Sequence, residues 1–275
     1  MDSRAQTNAQ LFLQIQQRGC SSAELRLVRD AYTLAMQLYT GMFTGSGKTT
    51  LAHEVGTASL AYRHGASFDL VASGLLHGAY LVGDWGHYRR HVTAKKRQAI
   101  QRVVGLRAEA CVHGMTRLRW NLPSIAALAD TADRLTELER NVVFLKLVEE
   151  LDHLLDYGAI LFFRNAEKAK ATLQAQRTEV CRLATRLGHP ALSAEIGQAI
   201  DLTLTTELPP ELFGLQFPGD YAPIIIPRSC RRRRLLRLYQ ALSRRATRVS
   251  GRLRRRIRPK AVDGMESFCP ADQQG

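Results

Sequence analysis

The stretch "GMFTGSGKTTLAHEVGTASLAYRHG", residues 41–65, decides how the chain is read, because its two halves point to different folds. "GSGKTT" has the Gly-Lys-Thr order of a phosphate-cradling loop, whereas "LAHEVGTASLAYRHG" places a histidine early in an apolar, helix-like run. A P-loop needs a glycine five positions before the glycine of its Gly-Lys pair, and a buried strand ahead of it to aim the loop amides. That position is Met42, with Gly41 missing by one. The preceding segment, "CSSAELRLVRDAYTLAMQLYTG" (20–41), repeats apolar residues at 27/28, 31, 34/35 and 38, a helical period. It opens on a capping box, Ser21 with Glu24, and stops at Gly41. No later apolar strand ends on an aspartate that could hold magnesium. The loop therefore reads as a turn through Gly45, Ser46 and Gly47, with Thr49 or Thr50 capping the next helix.

Outward from this point the pattern stays helical. Ser67 caps "SFDLVASGLLHGAYLVG" (67–83), and further helices are predicted near 93–117, 123–136, 138–157, 164–187 and 190–205. Only "APIIIP" (222–227) has strand character. The spacing predicts an all-α domain over 7–205 behind a disordered 1–6. A Pro-rich connector over 206–227 leads to a basic amphipathic helix over 228–260, and 261–275 reads as a disordered tail. No internal repeat is present.

Composition narrows the classes of function. The chain has 275 residues, 45% of them hydrophobic, enough for a sizeable core. It holds no apolar run of about 18 residues that would make a membrane span, and its polar start lacks the apolar segment of a signal peptide. Five cysteines without a CxxC pair argue against a disulfide framework or zinc ribbon and suit a reducing cytoplasm. Of the 39 basic residues, 15 lie in 228–260, which has no acid, so the formal charge of +14 belongs mostly to that tail. Its apolar residues at 235, 238/239, 242, 246, 249, 253 and 257 make one stripe among arginines. Such a helix suits an anionic membrane surface, which would place a cytoplasmic protein peripherally at the inner membrane, or an acidic partner. Nucleic acid is the weaker fit, since no recognised nucleic-acid fold accompanies it.

Read as a whole, "FTGSGKTTLAHEVGTASLAYRHGASFDLVASGLLHGAY" (43–80) resembles the opening of the HD superfamily of metal-dependent phosphohydrolases, most of all the RelA/SpoT-type (p)ppGpp hydrolase domains. "QRVVGLRAEACVHGMTRL" (101–118) and "VVFLKLVEELDHL" (142–154) look like later segments of the same family. The resemblance implies an HD-like helical bundle and a metal held by a first His, a His-Asp pair and a distant Asp. Carried over, these fall on His53, on His77 followed by Gly78, and on Glu149. The acidic pair beyond the His-Asp falls on Leu81 and Val82, with Asp84 two residues further as a substitute catalytic carboxylate.

Two imidazoles and one carboxylate can hold a cation such as Mn²⁺ or another divalent metal and leave a position for water. The site is nevertheless one carboxylate short, and Glu149 adds a methylene where the family has Asp. The expectation is a catalytically degenerate HD-like protein acting in binding or regulation. The alternatives are an active divergent phosphohydrolase and a scaffold anchored by its basic tail. For a phosphate-bearing small molecule, Lys48 and the segment "GDWGHYRRHV" (83–92), with His87, Arg89 and Arg90, offer the positive groups.

Periodicity alone supports plainer readings. His53 and His77 read as hydrogen-bonded core histidines on apolar helices. Lys146, Glu149, Glu150, Asp152, His153 and Asp156 form a polar stripe opposite Val142, Leu147, Leu151 and Leu154, the pattern of a solvated helix face. Trp85 reads as an anchor tying a surface loop to the core.

Overall fold

The computed structural model describes residues 4–86, 91–157, 166–207 and 209. These residues are all-α, without a strand among them. The helices are α1 (Asn8–Gln17), α2 (Ser22–Tyr39), α3 (Thr50–Arg63), α4 (Phe68–Gly74), α5 (Ala94–Met115), α6 (Leu122–Asp130), α7 (Glu137–Leu155), α8 (Ala166–Arg186) and α9 (Pro190–Thr205), with a 3₁₀ turn at Ala132–Arg134. Starts are set by side-chain caps at Thr7, Ser21, Thr49, Ser67, Thr93, Asn121 and Thr136, each accepting from a backbone N–H that the first turn leaves unpaired. Gly105, with φ 82°, kinks α5 into two segments.

The Gly-Ser-Gly-Lys stretch is a tight turn. Thr44 N–H donates to the Lys48 carbonyl at 2.8 Å, Gly47 N–H to that of Thr44 at 3.0 Å, and Phe43 bridges Thr49 across the turn. A helix precedes it and Thr49 caps the helix that follows, so no strand aims its amides at a ligand.

The fold is organised around α3. Eleven of its fourteen residues are buried, so it is a core helix enclosed on nearly every face. Val55, Ala58 and Tyr62 join one apolar cluster with α1, α2, α4 and part of α5, through Leu11, Ile15, Val28, Leu38, Tyr39, Leu75 and Ile100. Leu60 and Ala61 join a second, with Met115 and Ile125 and with Leu147, Leu151, Leu183 and Ile196 from α7 to α9. Each such Leu or Ile stabilises the fold by roughly 1.5–3 kcal/mol when fully buried. Polar side chains on α3 are thereby fixed against α4 and α7, where apolar packing on both flanks leaves them little freedom to reorient.

Three expectations change here. Residues 4–6 are ordered: Ala5 is buried, its N–H donates to Ser59 Oγ at 2.9 Å, and Arg4 pairs with acids on α7. The helix expected over 67–83 ends at Gly74 and continues to Val82 as successive turns. Its later carbonyls take side-chain donors instead: His77 Nδ1 lies 2.9 Å from the Gly74 carbonyl, and Trp85 Nε1 donates to that of Ala79 at 2.8 Å. The stripe on α7 is not a solvated face, since Asp152 is fully buried and the side chain of Glu149 is 15% exposed. Most of the connector, the strand-like "APIIIP", the basic helix over 228–260 and the final tail lie outside the described residues. No helix among the described residues is long and apolar enough to cross a membrane.

Candidate metal centre

The centre forms where α3, the turn after α4, and α7 meet. His53 Nε2 and His77 Nε2 lie 3.2 Å apart, their rings nearly perpendicular at 79°. Glu149 Oε1 lies 3.9 Å from His77 Nε2, and one ligand atom from each of His53, His77 and Glu149 falls within 4.8 Å of the others. Nitrogens about 2 Å from a shared ion in a tetrahedral site would be roughly 3.3 Å apart, so the pair is spaced for one cation.

The far side of each ring decides what the near side presents. His53 Nδ1 lies 2.7 Å from Asp152 Oδ2. His77 Nδ1 faces the Gly74 carbonyl at 2.9 Å and Glu54 Oε2 at 2.7 Å. Carbonyl and carboxylate oxygens only accept, so both Nδ1 atoms carry the proton. In neutral rings both Nε2 lone pairs then point at each other across 3.2 Å, an arrangement that needs a positive charge between them. Burial opposes charge on His77, yet Glu54 and Glu149 outweigh it and hold the ring up at about 9. Burial and the stacked ring of His153, 4.3 Å away, push His53 down to about 4 despite Asp152. The pocket thus accommodates one proton or one cation, and not a proton on each ring.

Glu149 and Asp152 are held ionised, whereas burial raises Glu54. Burial resists charge on Glu149, but Lys146, 3.1 Å away, and the histidines lower it to about 2. Asp152 is likewise depressed against burial by His53, Lys48 and Arg4. Lys48 Nζ lies 2.9 Å from Asp152 and 2.6 Å from Asp156, while Arg4 reaches the same two acids at 2.8 and 2.5 Å. Gly56 makes room for this group, because a Cβ there would sit 2.0 Å from Asp152 Oδ1. A carboxylate behind a ligating imidazole, itself anchored by other groups, is the usual second layer of a metal site. The donor set, its spacing and this backing all fit a divalent ion.

His53, His77 and Glu149 are therefore brought together. Lys48, assigned above to ligand binding, is instead committed to the buried Asp152 and to Asp156, which need a cation beside them. Asp84 does not join the cluster: its N–H donates to the Leu38 carbonyl at 2.8 Å and its Oδ1 accepts from Gly86 N–H at 2.8 Å. His87, Arg89 and Arg90 lie outside the described residues. Sequence reasoning missed Glu54, Arg4 and the role of Asp152. The readable signal was Gly56, four residues before Leu60 on a helix otherwise filled with side chains, which marks a close approach by another group.

Fold and site together define an all-α protein with a buried His-His-carboxylate cluster suited to a divalent cation. Residues 36–118, from the end of α2 past α5, match a family described as a domain of unknown function (DUF6817). The matched stretch contains His53, Glu54, His77 and Gly78, while Glu149, Asp152 and His153 lie beyond it. No curated protein matches the chain.

Proposed function

We propose that the chain is a divergent HD-like phosphohydrolase that holds a divalent cation between His53 and His77, with Glu149 as the third ligand. The observation that carries this is the pair of Nε2 atoms facing each other at 3.2 Å with both Nδ1 atoms committed elsewhere. Three protein ligands of the His-His-Glu kind belong to catalytic sites, which leave a position open, and not to closed structural ones. A divalent ion bound there would polarise a phosphoryl oxygen and acidify a water. Asp152 orients His53, Lys146 steadies Glu149, and the side chain of His153, 34% exposed, forms the solvent side of the cluster. The substrate class supported by the resemblance is a phosphate-bearing small molecule such as (p)ppGpp or another nucleotide.

The test is hydrolysis of a panel of nucleotides and (p)ppGpp by the full-length protein with Mn²⁺ present. Turnover abolished by chelation and by His77→Ala supports the reading. A second reading rests on Gly78, which removes the carboxylate of the His-Asp pair: cation and ligand bind, but nothing is hydrolysed. Saturable nucleotide binding with no phosphate release under any cation favours that one.

A further inference from the structure

Residue 78 lacks a side chain, and yet a carboxylate stands in its place. A Cβ on Gly78 would lie 2.7 Å from Glu54 Oε1 and 3.0 Å from Val82 Cγ2, with the Tyr39 hydroxyl at 3.7 Å. Glu54 reaches this space from α3. It is 1% exposed, with the Tyr39 hydroxyl and the His77 ring as the donors beside its oxygens. Its Oε2 lies 2.7 Å from His77 Nδ1, on the side of the ring that also faces the Gly74 carbonyl at 2.9 Å.

A buried charge is costly unless it is paired, so a carboxylate in this place needs a partner. His77 is that partner. Neighbouring residues on a helix point about 100° apart, so α3 can deliver two consecutive groups to opposite sides of one ring. His53 meets Nε2 of His77, and Glu54 meets Nδ1.

The geometry assigns to Glu54 the place of the carboxylate missing at residue 78: packed over Gly78 and against Nδ1 of His77, it is a positioning residue that fixes the ring and strengthens Nε2 as a cation donor. This rests on the cation reading given above. A carboxylate behind a ligating imidazole raises its basicity and sets its orientation, and losing such a group weakens metal binding by about 10–100-fold. Glu54 and Gly78 are on this account two halves of one exchange, with a large residue on α3 filling the space that a side chain at 78 would claim.

Two measurements test it. Calorimetric titration of Mn²⁺ into the full-length protein should show Glu54→Gln binding about 10–100-fold more weakly than wild type, with Glu54→Asp recovering part of the loss. Equal affinity of wild type and Glu54→Gln overturns the assignment and leaves the metal centre standing. A wild type that binds no Mn²⁺ sinks the cation reading and the donor role with it. The exchange of space is read separately, by denaturant unfolding of metal-free wild type, Glu54→Ala, Gly78→Asp and the double variant. Gly78→Asp should destabilise wild type more than it destabilises Glu54→Ala; additive losses refute the exchange whatever the metal result.

Discussion

His77 and His53 are 24 residues apart and titrate in opposite directions, so the metal-free protein should carry a pH signature of the site. His77 is raised from 6.5 to about 9 by Glu54 on α3 and Glu149 on α7, against burial. Its folded form holds a proton that the unfolded chain releases near 6.5. That stabilisation is complete below pH 6.5 and is lost as pH rises through about 9. His53, facing Asp152 and His153 of α7, is lowered from 6.5 to about 4, chiefly by burial. Its contribution is present above pH 6.5 and is lost as pH falls through about 4. Denaturant unfolding of chelator-treated protein should therefore show an alkaline loss of stability that His77→Ala flattens; an unchanged alkaline limb in that variant contradicts the assignment. Asp152 is the other decisive residue. Replacing it by Asn leaves Arg4 and Lys48 short of a buried counter-charge, and breaking such a group costs about 3–5 kcal/mol. Thermal unfolding of Asp152→Asn should show that loss, where a solvated acid would give almost none.

Several helix starts were readable from the side chains that cap them, whereas the helix expected over 123–136 ends at Asp130. Ser21 with Glu24, Thr49 and Ser67 announce their helices through the donors they satisfy, and each starts where its cap predicts. The end of α4 was not readable, because "LLHGAYLV" keeps a helical period that does not show where the side chains of His77 and Trp85 meet the carbonyls of Gly74 and Ala79. On α7 the polar stripe misled for a similar reason. Periodicity shows that Glu149, Asp152 and His153 share a face but not that α3 covers it. The convergence of His53 with His77 was an expectation of the resemblance, whereas Glu54 reads as an ordinary helix residue and only the space over Gly78 sets it apart. The α3–α7 crossing is testable through Gly56. Gly56→Ala would drive a Cβ to 2.0 Å from Asp152 Oδ1, and such overpacking costs about 1–3 kcal/mol. Thermal unfolding should show that loss with cation affinity falling alongside; a neutral Gly56→Ala would mean the helices are not locked at this spacing.

Across the molecule, the site draws on residues from Arg4 to Asp156, and so the amino-terminal segment belongs to it. Arg4 reaches Asp152, which in turn holds His53, while Ala5 is tied to Ser59 on α3. Deleting residues 1–6 should lower thermal stability and weaken cation binding together, as followed by calorimetry; loss of neither would show that the segment only rests on the surface. At the far side of α3, Arg63 and His64 pair with Glu195 on α9, linking the same helix to the carboxy-terminal part of the bundle. The central claim is that this bundle closes two imidazoles on a single divalent ion. Elemental analysis of the purified full-length protein, loaded with Mn²⁺ or Zn²⁺ and dialysed, tests it most directly. One equivalent per chain, lost in His53→Ala and in His77→Ala, is the predicted result; a wild type that retains no metal, or a histidine variant that retains as much, would contradict it.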